Sequence, residues 1–280
     1  MSFLSSLMNA LPGAVAQGLA WGIMAIGVYI TFRILDVADL TVDGSLATGG
    51  AVCVMLIRAG VNPWLAMLCA LVSGMLAGLV TGLFHTRCGI PAILAGILTQ
   101  LALYSINLRI MGGKANQAVS VDKYHLLLSQ RYVRELSLDN PLPLLVVLTA
   151  VIVAALYWFF GTEKGSSVRA TGANHHMARA HGINTSANIV LGLMLSNGLV
   201  ALSGALLAQY QGSSDINMGR GAIVYYIVLQ IVLQIGLNTN DLKLITALIV
   251  ALFLTLSYLN LKKTRRKPRR AAKEGVEQHA

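Results

Sequence analysis

Charge and cysteine are both scarce in this sequence. Asp, Glu, Lys and Arg make up 11% of the 280 residues, and hydrophobic residues make up 56%, whereas a soluble domain carries about 25% charged residues. The three cysteines provide neither an even disulfide framework nor the spacing of metal ligands. This composition argues against a soluble or disulfide-linked domain, and it predicts that the lipid bilayer surrounds most of the chain.

Eight apolar segments are candidates for membrane-embedded elements. None alternates apolar with polar residues, and in hydrocarbon every backbone polar group must be paired within the protein, so we expect helices and not barrel strands. The predicted fold is an all-α, polytopic helical membrane protein in which two segments, 44–57 and 222–237, are short or re-entrant. The other six segments are 11–35, 63–84, 91–111, 142–160, 187–210 and 242–259.

The two ends of the chain differ in charge. No basic region precedes the first apolar segment, so the N-terminus lacks the pattern of a cleaved signal peptide. Residues 262–280 form a basic tail that we expect to be disordered and, by the positive-inside rule, cytoplasmic, which leaves 1–261 as the transmembrane domain. Because no folded basic module accompanies the tail, we expect it to contact membrane lipids and not nucleic acid.

Two polar stretches, 112–140 and 161–186, separate groups of apolar segments. If 161–186 is cytoplasmic, alternation across the membrane makes 112–140 an external loop and places the N-terminus outside. The three segments between Ser186 and Lys262 would then bring the basic tail to the wrong side of the membrane. We therefore expect one re-entrant segment or a missing span near Val224.

Polar residues beside the short segments and within one long segment are candidates for lining a solute pathway. Each short segment follows a stretch that opens with an acid and closes on glycine, and such paired, Gly-interrupted segments often mark the substrate route of a transporter. A polar face in segment 91–111 has two interpretations: hydrogen bonding between helices, or the lining of a hydrated path. The candidates are Asp39, Asp43 and Asp215 beside the short segments, and Gln100, Tyr104 and Asn107 at i, i+4 and i+7 on one helix face.

Glycines recur at helical spacing in two apolar segments. Gly74, Gly78 and Gly82 fall on one face of segment 63–84, and Gly18 and Gly22 repeat the spacing in the first segment. Small residues at this spacing let a neighbouring helix approach closely. Both sets predict helix packing and carry no information about a substrate.

The polar stretch from Gly165 to Asn184 has the pattern of a short helix between two spans. Asn174 is a suitable N-cap and Gly182 a suitable stop, with Met177 and Ala178 beside basic residues in between. A helix this short does not fold alone. We therefore predict a docking element for a partner protein.

No pattern in the sequence indicates catalysis, a cofactor or a metal. His175, His176 and His181 have no Cys or acid at ligand spacing beside them. The phosphate-loop pattern Gly-x-x-x-x-Gly-Lys-[Ser/Thr] is absent from the sequence. We expect that this chain is not an enzyme and does not itself hydrolyse ATP.

The predicted docking stretch resembles the coupling loop of bacterial ABC importer permeases of the branched-chain amino acid and ribose type. In that family the loop sits in a groove of the ATPase subunit, so the resemblance implies ATPase contacts at Gly172, Asn174, Ala178, Arg179, Gly182 and Ile183. The residues that match the family pattern are Gly165, Arg169, Ala170, Gly172, Asn174, Ala178, Gly182 and Ile183.

The resemblance extends over most of the chain and implies a permease subunit in the bacterial plasma (inner) membrane. Its partners would be a second permease copy or paralogue, two ABC ATPase subunits and an extracytoplasmic solute-binding protein. The chain looks most similar to amino-acid permeases of the tryptophan/tyrosine type, which implies that the solute is an amino acid. It departs from the family pattern after Val224, where about one spanning helix is missing. The alternatives are a secondary transporter or channel for a small solute, and a membrane-embedded assembly subunit.

Overall fold

The computed structural model describes residues 3–119, 124, 126–128 and 142–218. The segments predicted at 222–237 and 242–259, the basic tail and much of the loop at 112–140 lie outside these residues. So does the predicted departure from the family pattern after Val224.

The described part of the chain is almost entirely helical. Helix α1 continues directly into a π-helical turn, Ile30–Ile34, and a second polar stretch folds into two short helices, α6 and α7. The elements in chain order are α1 (Phe3–Tyr29), α2 (Val42–Arg58), α3 (Pro63–Thr86), α4 (Ala92–Ile110), β1 (Asn116–Ala118), α5 (Leu142–Gly161), α6 (Glu163–Ala173), α7 (His175–Ala180), α8 (Thr185–Gln211) and β2 (Ser213–Asp215).

Five of the helical segments are long and apolar enough to cross a membrane. Helix α2 has only 17 residues, and most of them are buried within the protein, which confirms the prediction of a short segment there. The all-α prediction is confirmed, and the structure adds one feature that the sequence did not predict. Strands β1 and β2 pair antiparallel, with Gln117 opposite Ser214.

Helix α8 is the centre of the bundle. It packs against α1, α2 and α3, and its residues from Asn197 to Tyr210 are all buried. The glycine stripe of α3 makes one of these contacts possible. A Cβ atom at Gly74 would lie 2.3 Å from the Asn197 carbonyl oxygen, and one at Gly78 would lie 2.2 Å from the Leu193 carbonyl oxygen. The packing prediction for this stripe is confirmed.

For the first helix the same prediction stays a prediction. Among the described residues, nothing lies within 4 Å of a Cβ atom built at Gly18 or Gly22. The face of α1 that packs inward carries Ala16, Ala20 and Ile23, all fully buried. The spacing of Gly18 and Gly22 therefore fell on a face that the described neighbours do not cover.

Candidate functional site

The chain leaves its helical path between α1 and α2. The π-helical turn ends at Ile34, Asp36 has a positive φ of 55°, and the chain then runs without regular structure to Thr41. Asp tolerates this left-handed conformation better than most residues. The carboxylate of Asp39 accepts a hydrogen bond from the Thr41 backbone N–H at 2.8 Å and another from the Asn197 amide at 2.7 Å. Asp39 therefore fixes the start of α2 against α8.

Helix α2 starts well inside the bundle and not at its edge. Asn197, which holds the start of α2 through Asp39, lies twelve residues into the 27-residue helix α8, or about 18 Å from its first residue at 1.5 Å per residue. That position is close to the middle of a helix long enough to span the bilayer. The chain therefore presents the first turn of α2 deep within the protein, as broken membrane helices do at transporter substrate sites.

A set of buried polar side chains surrounds this helix start. The hydroxyl of Thr41 pairs with that of Thr81 at 2.8 Å, and Thr81 donates to Thr99 at 2.9 Å. On the other side, Ser45 donates to the Asn197 side-chain oxygen at 2.6 Å. Sequence reasoning missed these residues because single hydroxyls in apolar helices have no distinctive spacing. Asn197, an amide near the middle of a long apolar span, was an available signal.

Four of the six predicted pathway residues meet in one cleft between α2 and α4. Asp43 comes from the first turn of α2, and Gln100, Tyr104 and Asn107 come from the polar face of α4. Gly44 and Ile216 complete the lining, and the space measures about 260 Å³ including its open mouth. The i, i+4, i+7 spacing thus brought its three residues to one site, together with an acid distant in sequence.

Asn107 is the most unusual residue of this cleft. Its side chain is 1% exposed, and its amide nitrogen lies 3.5 Å from the Gly44 carbonyl oxygen, at the limit of a hydrogen bond. Its side-chain oxygen, Oδ1, has no hydrogen-bond partner among the described residues. Buried polar atoms are nearly always paired, so this oxygen calls for an explanation.

The other two predicted pathway residues do not line the cleft. Asp39 is engaged at the start of α2, as described above. Asp215 lies in β2 opposite Asn116, and its carboxylate accepts a hydrogen bond from the Asn217 backbone N–H at 2.7 Å. Residues 219–221 of its predicted lead-in lie outside the described residues, so the predicted likeness between the lead-ins of Asp39 and Asp215 stays a prediction.

The predicted docking stretch folds into two helices that share one residue as a boundary. Asn174 ends α6, and its side-chain oxygen caps α7 by accepting from the backbone N–H groups of His176 and Met177, both at 3.0 Å. Gly182 follows α7 with a φ of +75°. The predicted N-cap and the predicted stop are therefore confirmed as local structure.

The six predicted docking residues divide into two groups. Asn174, Arg179 and Gly182 are exposed and Ile183 is partly buried. Ala178 is only 3% exposed, and Gly172 lies against the backbone of Ile34. Ala178 thus packs inward and Gly172 packs against the π-helical turn, and the ATPase contact predicted for these residues stays a prediction.

Two features of this loop were not predicted as functional. Met177 points outward with 59% of its surface exposed, which is unusual for a large apolar side chain on a polar loop. Gly172 allows α6 to touch the π-helical turn, since a Cβ atom there would lie 1.8 Å from the Ile34 carbonyl oxygen. Asn188 of α8 holds the other side of α6 by donating to Ser167 at 2.6 Å and to Thr171 at 2.9 Å.

Comparison with known proteins places the chain in a transporter family. The family of permease components of branched-chain amino acid transport systems matches residues 11–266. The chain is 36% identical over 293 aligned positions to a tyrosine transport system permease protein of Clostridioides difficile, covering 93% of this chain and 96% of that protein. It is 32% identical to an uncharacterized protein of Rickettsia prowazekii, covering 89% and 98%. No solved structure matches the chain.

A more distant relative is the autoinducer 2 import system permease protein LsrC of Yersinia pestis, at 29% identity over 83% of this chain and 64% of that protein. The alignment with the C. difficile protein also bears on length. Since 93% of 280 residues is about 260, about 33 of the 293 aligned positions have no residue of this chain. That a single segment is missing after Val224 stays a prediction.

The family match covers most of the chain, and the described helices are those of a multi-pass membrane protein. Its relatives are transport permeases of bacteria. The chain is therefore a multi-pass permease of the bacterial plasma membrane, and it belongs to the family of permease components of branched-chain amino acid transport systems.

Proposed function

We propose that this chain forms the solute path of an ATP-driven importer for an amino acid, with ATP hydrolysis on separate ATPase subunits. The α6–α7 loop, 161–186, is the cytoplasmic docking site for an ATPase. A second copy of the chain or a paralogue completes the path, and an extracytoplasmic solute-binding protein delivers the solute. The tyrosine transport relative favours an amino acid with an aromatic side chain.

The exposure of Met177 is the observation that carries this proposal. Met177 projects from a short helix that is capped at one end by Asn174 and stopped at the other by Gly182. Methionine fills irregular apolar pockets because its side chain is flexible and polarizable. It is also enriched at protein–protein interfaces, so an exposed methionine on a polar loop is suited to contact a partner protein.

The contact between α6 and α1 supports a mechanical role for this loop. Gly172 lies directly on the Ile34 carbonyl group, and Leu35 contacts Gly192 of α8. Seven residues beyond Leu35, the chain reaches Val42, the start of α2, and next to it the polar cleft. A displacement of α6 by an ATPase therefore has a short, packed path to the break between α1 and α2.

The test is to purify the tagged chain from membranes of its native host and to identify the proteins that co-purify with it. We expect an ABC ATPase and its loss with Met177→Asp. Asn217→Asp is the matched control, because it adds the same charge at an exposed position beyond β2, at the opposite end of α8.

The two variants separate the possible results of this test. If Met177→Asp retains the ATPase as well as Asn217→Asp does, the docking site is rejected. If the wild-type chain recovers no ATPase and its solute uptake follows a sodium or proton gradient, the chain is a secondary transporter. Recovery of partner proteins with no solute flux would identify an assembly subunit.

A further inference from the structure

The cleft between α2 and α4 contains a buried acceptor that the protein itself does not use. Asn107 is 1% exposed, and its Oδ1 atom has no partner among the described residues. Leaving such an atom unpaired in a low-dielectric interior is costly. The cost is removed when a ligand places a hydrogen-bond donor against it.

The other residues of the cleft indicate the charge of that donor. Asp43 supplies a carboxylate, while Gln100 and Tyr104 supply polar groups that can donate or accept. None of the six described residues that line the cleft is basic. Asp43 also has a contact of its own within the chain, and it lines the same cleft as Asn107. The lining therefore favours a cation that donates hydrogen bonds over an anion.

The size of the cleft indicates how much of a solute it takes. Its 260 Å³ counts all the space between the atoms and includes the open mouth, whereas the part that a water-sized group can occupy is about 10 Å³, close to what one water molecule needs. One small polar group at the end of a solute therefore fits. A primary ammonium group carries three donors on one atom, so it can be shared between two acceptors that line one small cleft. Tyr104, 41% exposed, offers its ring to the remainder of the solute.

We propose that this cleft binds the primary ammonium group of the transported solute, with the Asp43 carboxylate and Asn107 Oδ1 as its acceptors. The proposal rests on the proposed transport function and adds the chemical group that is recognised. It predicts that the permease itself discriminates amino compounds from their deaminated analogues. This selection is separate from any made by a solute-binding protein.

The experiment uses the purified full-length chain in lipid nanodiscs and three soluble probes. L-tyrosine carries both an ammonium and a carboxylate group, tyramine carries only the ammonium group, and 3-(4-hydroxyphenyl)propionate carries only the carboxylate. Saturation-transfer difference NMR detects weak binding of each probe, and empty nanodiscs give the background. We expect saturable binding of L-tyrosine and tyramine and at least tenfold weaker binding of the deaminated probe.

Two variants assign the binding to the cleft. Asn107→Leu removes the unpaired acceptor, and Asp43→Asn removes the charge without changing the size of the side chain. Each is expected to weaken tyramine binding about tenfold, the usual effect of losing a hydrogen bond to a charged group. Ser105→Ala is the control, since Ser105 is an exposed residue of the same helix α4 and the change should leave binding unaltered. Size-exclusion chromatography checks that each variant is folded.

Several results would overturn the proposal. They are equal binding of the deaminated probe, no binding of either amine to the wild-type chain, and tyramine binding that survives both Asn107→Leu and Asp43→Asn. None of these results affects recovery of an ATPase with the wild-type chain. A chain that recovers the ATPase and fails the probe experiment is an importer permease that recognises another group, whereas a chain that fails both experiments loses the proposed function as well.

Discussion

Replacing Gly172 with alanine tests whether the loop at 161–186 transmits force to the membrane helices. The added Cβ atom would lie 1.8 Å from the Ile34 carbonyl oxygen, and real Cβ atoms essentially never approach closer than 3.0 Å. Helix α6 must therefore withdraw from the π-helical turn by at least about 1.2 Å, the difference between these two distances. The obstacle is backbone on both sides, so no side-chain rotation can relieve it. Overpacking of this kind costs about 1–3 kcal/mol.

That cost sets the expected size of the functional effect. A free energy of about 1–3 kcal/mol changes the balance between two arrangements by a factor of about 5–150. In proteoliposomes containing the permease and its co-purified ATPase, basal ATP hydrolysis should persist in Gly172→Ala. Stimulation of that hydrolysis by the loaded solute-binding protein should fall at least fivefold. Once α6 has withdrawn from the π-helical turn, it no longer transmits movements of the membrane helices to the ATPase.

The matched control is Gly22→Ala in α1, outside the loop, where no described residue lies within 4 Å of an added Cβ atom. It should retain the full stimulation. The reasoning is refuted if Gly172→Ala is stimulated as strongly as Gly22→Ala while both proteins are recovered in equal amounts. A loss of basal hydrolysis or of ATPase binding in Gly172→Ala would show that Gly172 acts on docking and not on transmission.

Three further predictions concern packing, the start of α2 and sidedness. Gly78→Ala should lower the free energy of unfolding by about 1–3 kcal/mol, because its Cβ atom would lie 2.2 Å from the Leu193 carbonyl oxygen. Gly22→Ala, where no described residue lies within 4 Å of the added Cβ atom, should leave it unchanged. Thermal unfolding measures both variants, and equal shifts of the midpoint would contradict the packing. Asp39→Asn should also lower the free energy of unfolding, by about 1 kcal/mol or more, because an amide oxygen can replace only one of the two carboxylate acceptors. An unchanged midpoint of thermal unfolding would show that these bonds do not hold α2. Exposed Cys88 should react with a membrane-impermeant maleimide in inside-out vesicles and not in spheroplasts, while buried Cys53 should react in neither; labelling of Cys88 in spheroplasts would invert the predicted topology.

The sequence predicted the features of this fold that depend on one element at a time. Length and apolarity located the described spans, because a bilayer demands about 20 apolar residues per helix. The spacing of Gln100, Tyr104 and Asn107 predicted a shared face, and the structure places all three in one cleft. Helical periodicity is a local property, so it can be derived from a single sequence.

Features that depend on two elements were harder to predict. Gly18 and Gly22 have the same spacing as the stripe on α3, yet among the described residues only the α3 glycines of these two sets meet another backbone, because spacing does not say where a neighbour lies. Ala178 belongs to a loop predicted to dock, but its side chain packs inward. The π-helical turn has no recognised sequence pattern, and the distance from Asp39 to Asn197 in sequence concealed their contact.

The break between α1 and α2 explains why polar residues gather at one depth and why only some of them are candidates for binding a solute. A helix that begins inside a bundle leaves backbone N–H groups that water cannot satisfy. Side chains must then supply the partners. At the start of α2, Asp39 accepts from the Thr41 backbone N–H, and Asn197 of α8 holds that carboxylate by donating to its other oxygen. Polarity at this depth is thus a consequence of the break and is no sign of a ligand. Asn107 differs because its buried oxygen has no partner among the described residues, so the same break that accounts for Asp39 leaves Asn107 unexplained until a solute is bound.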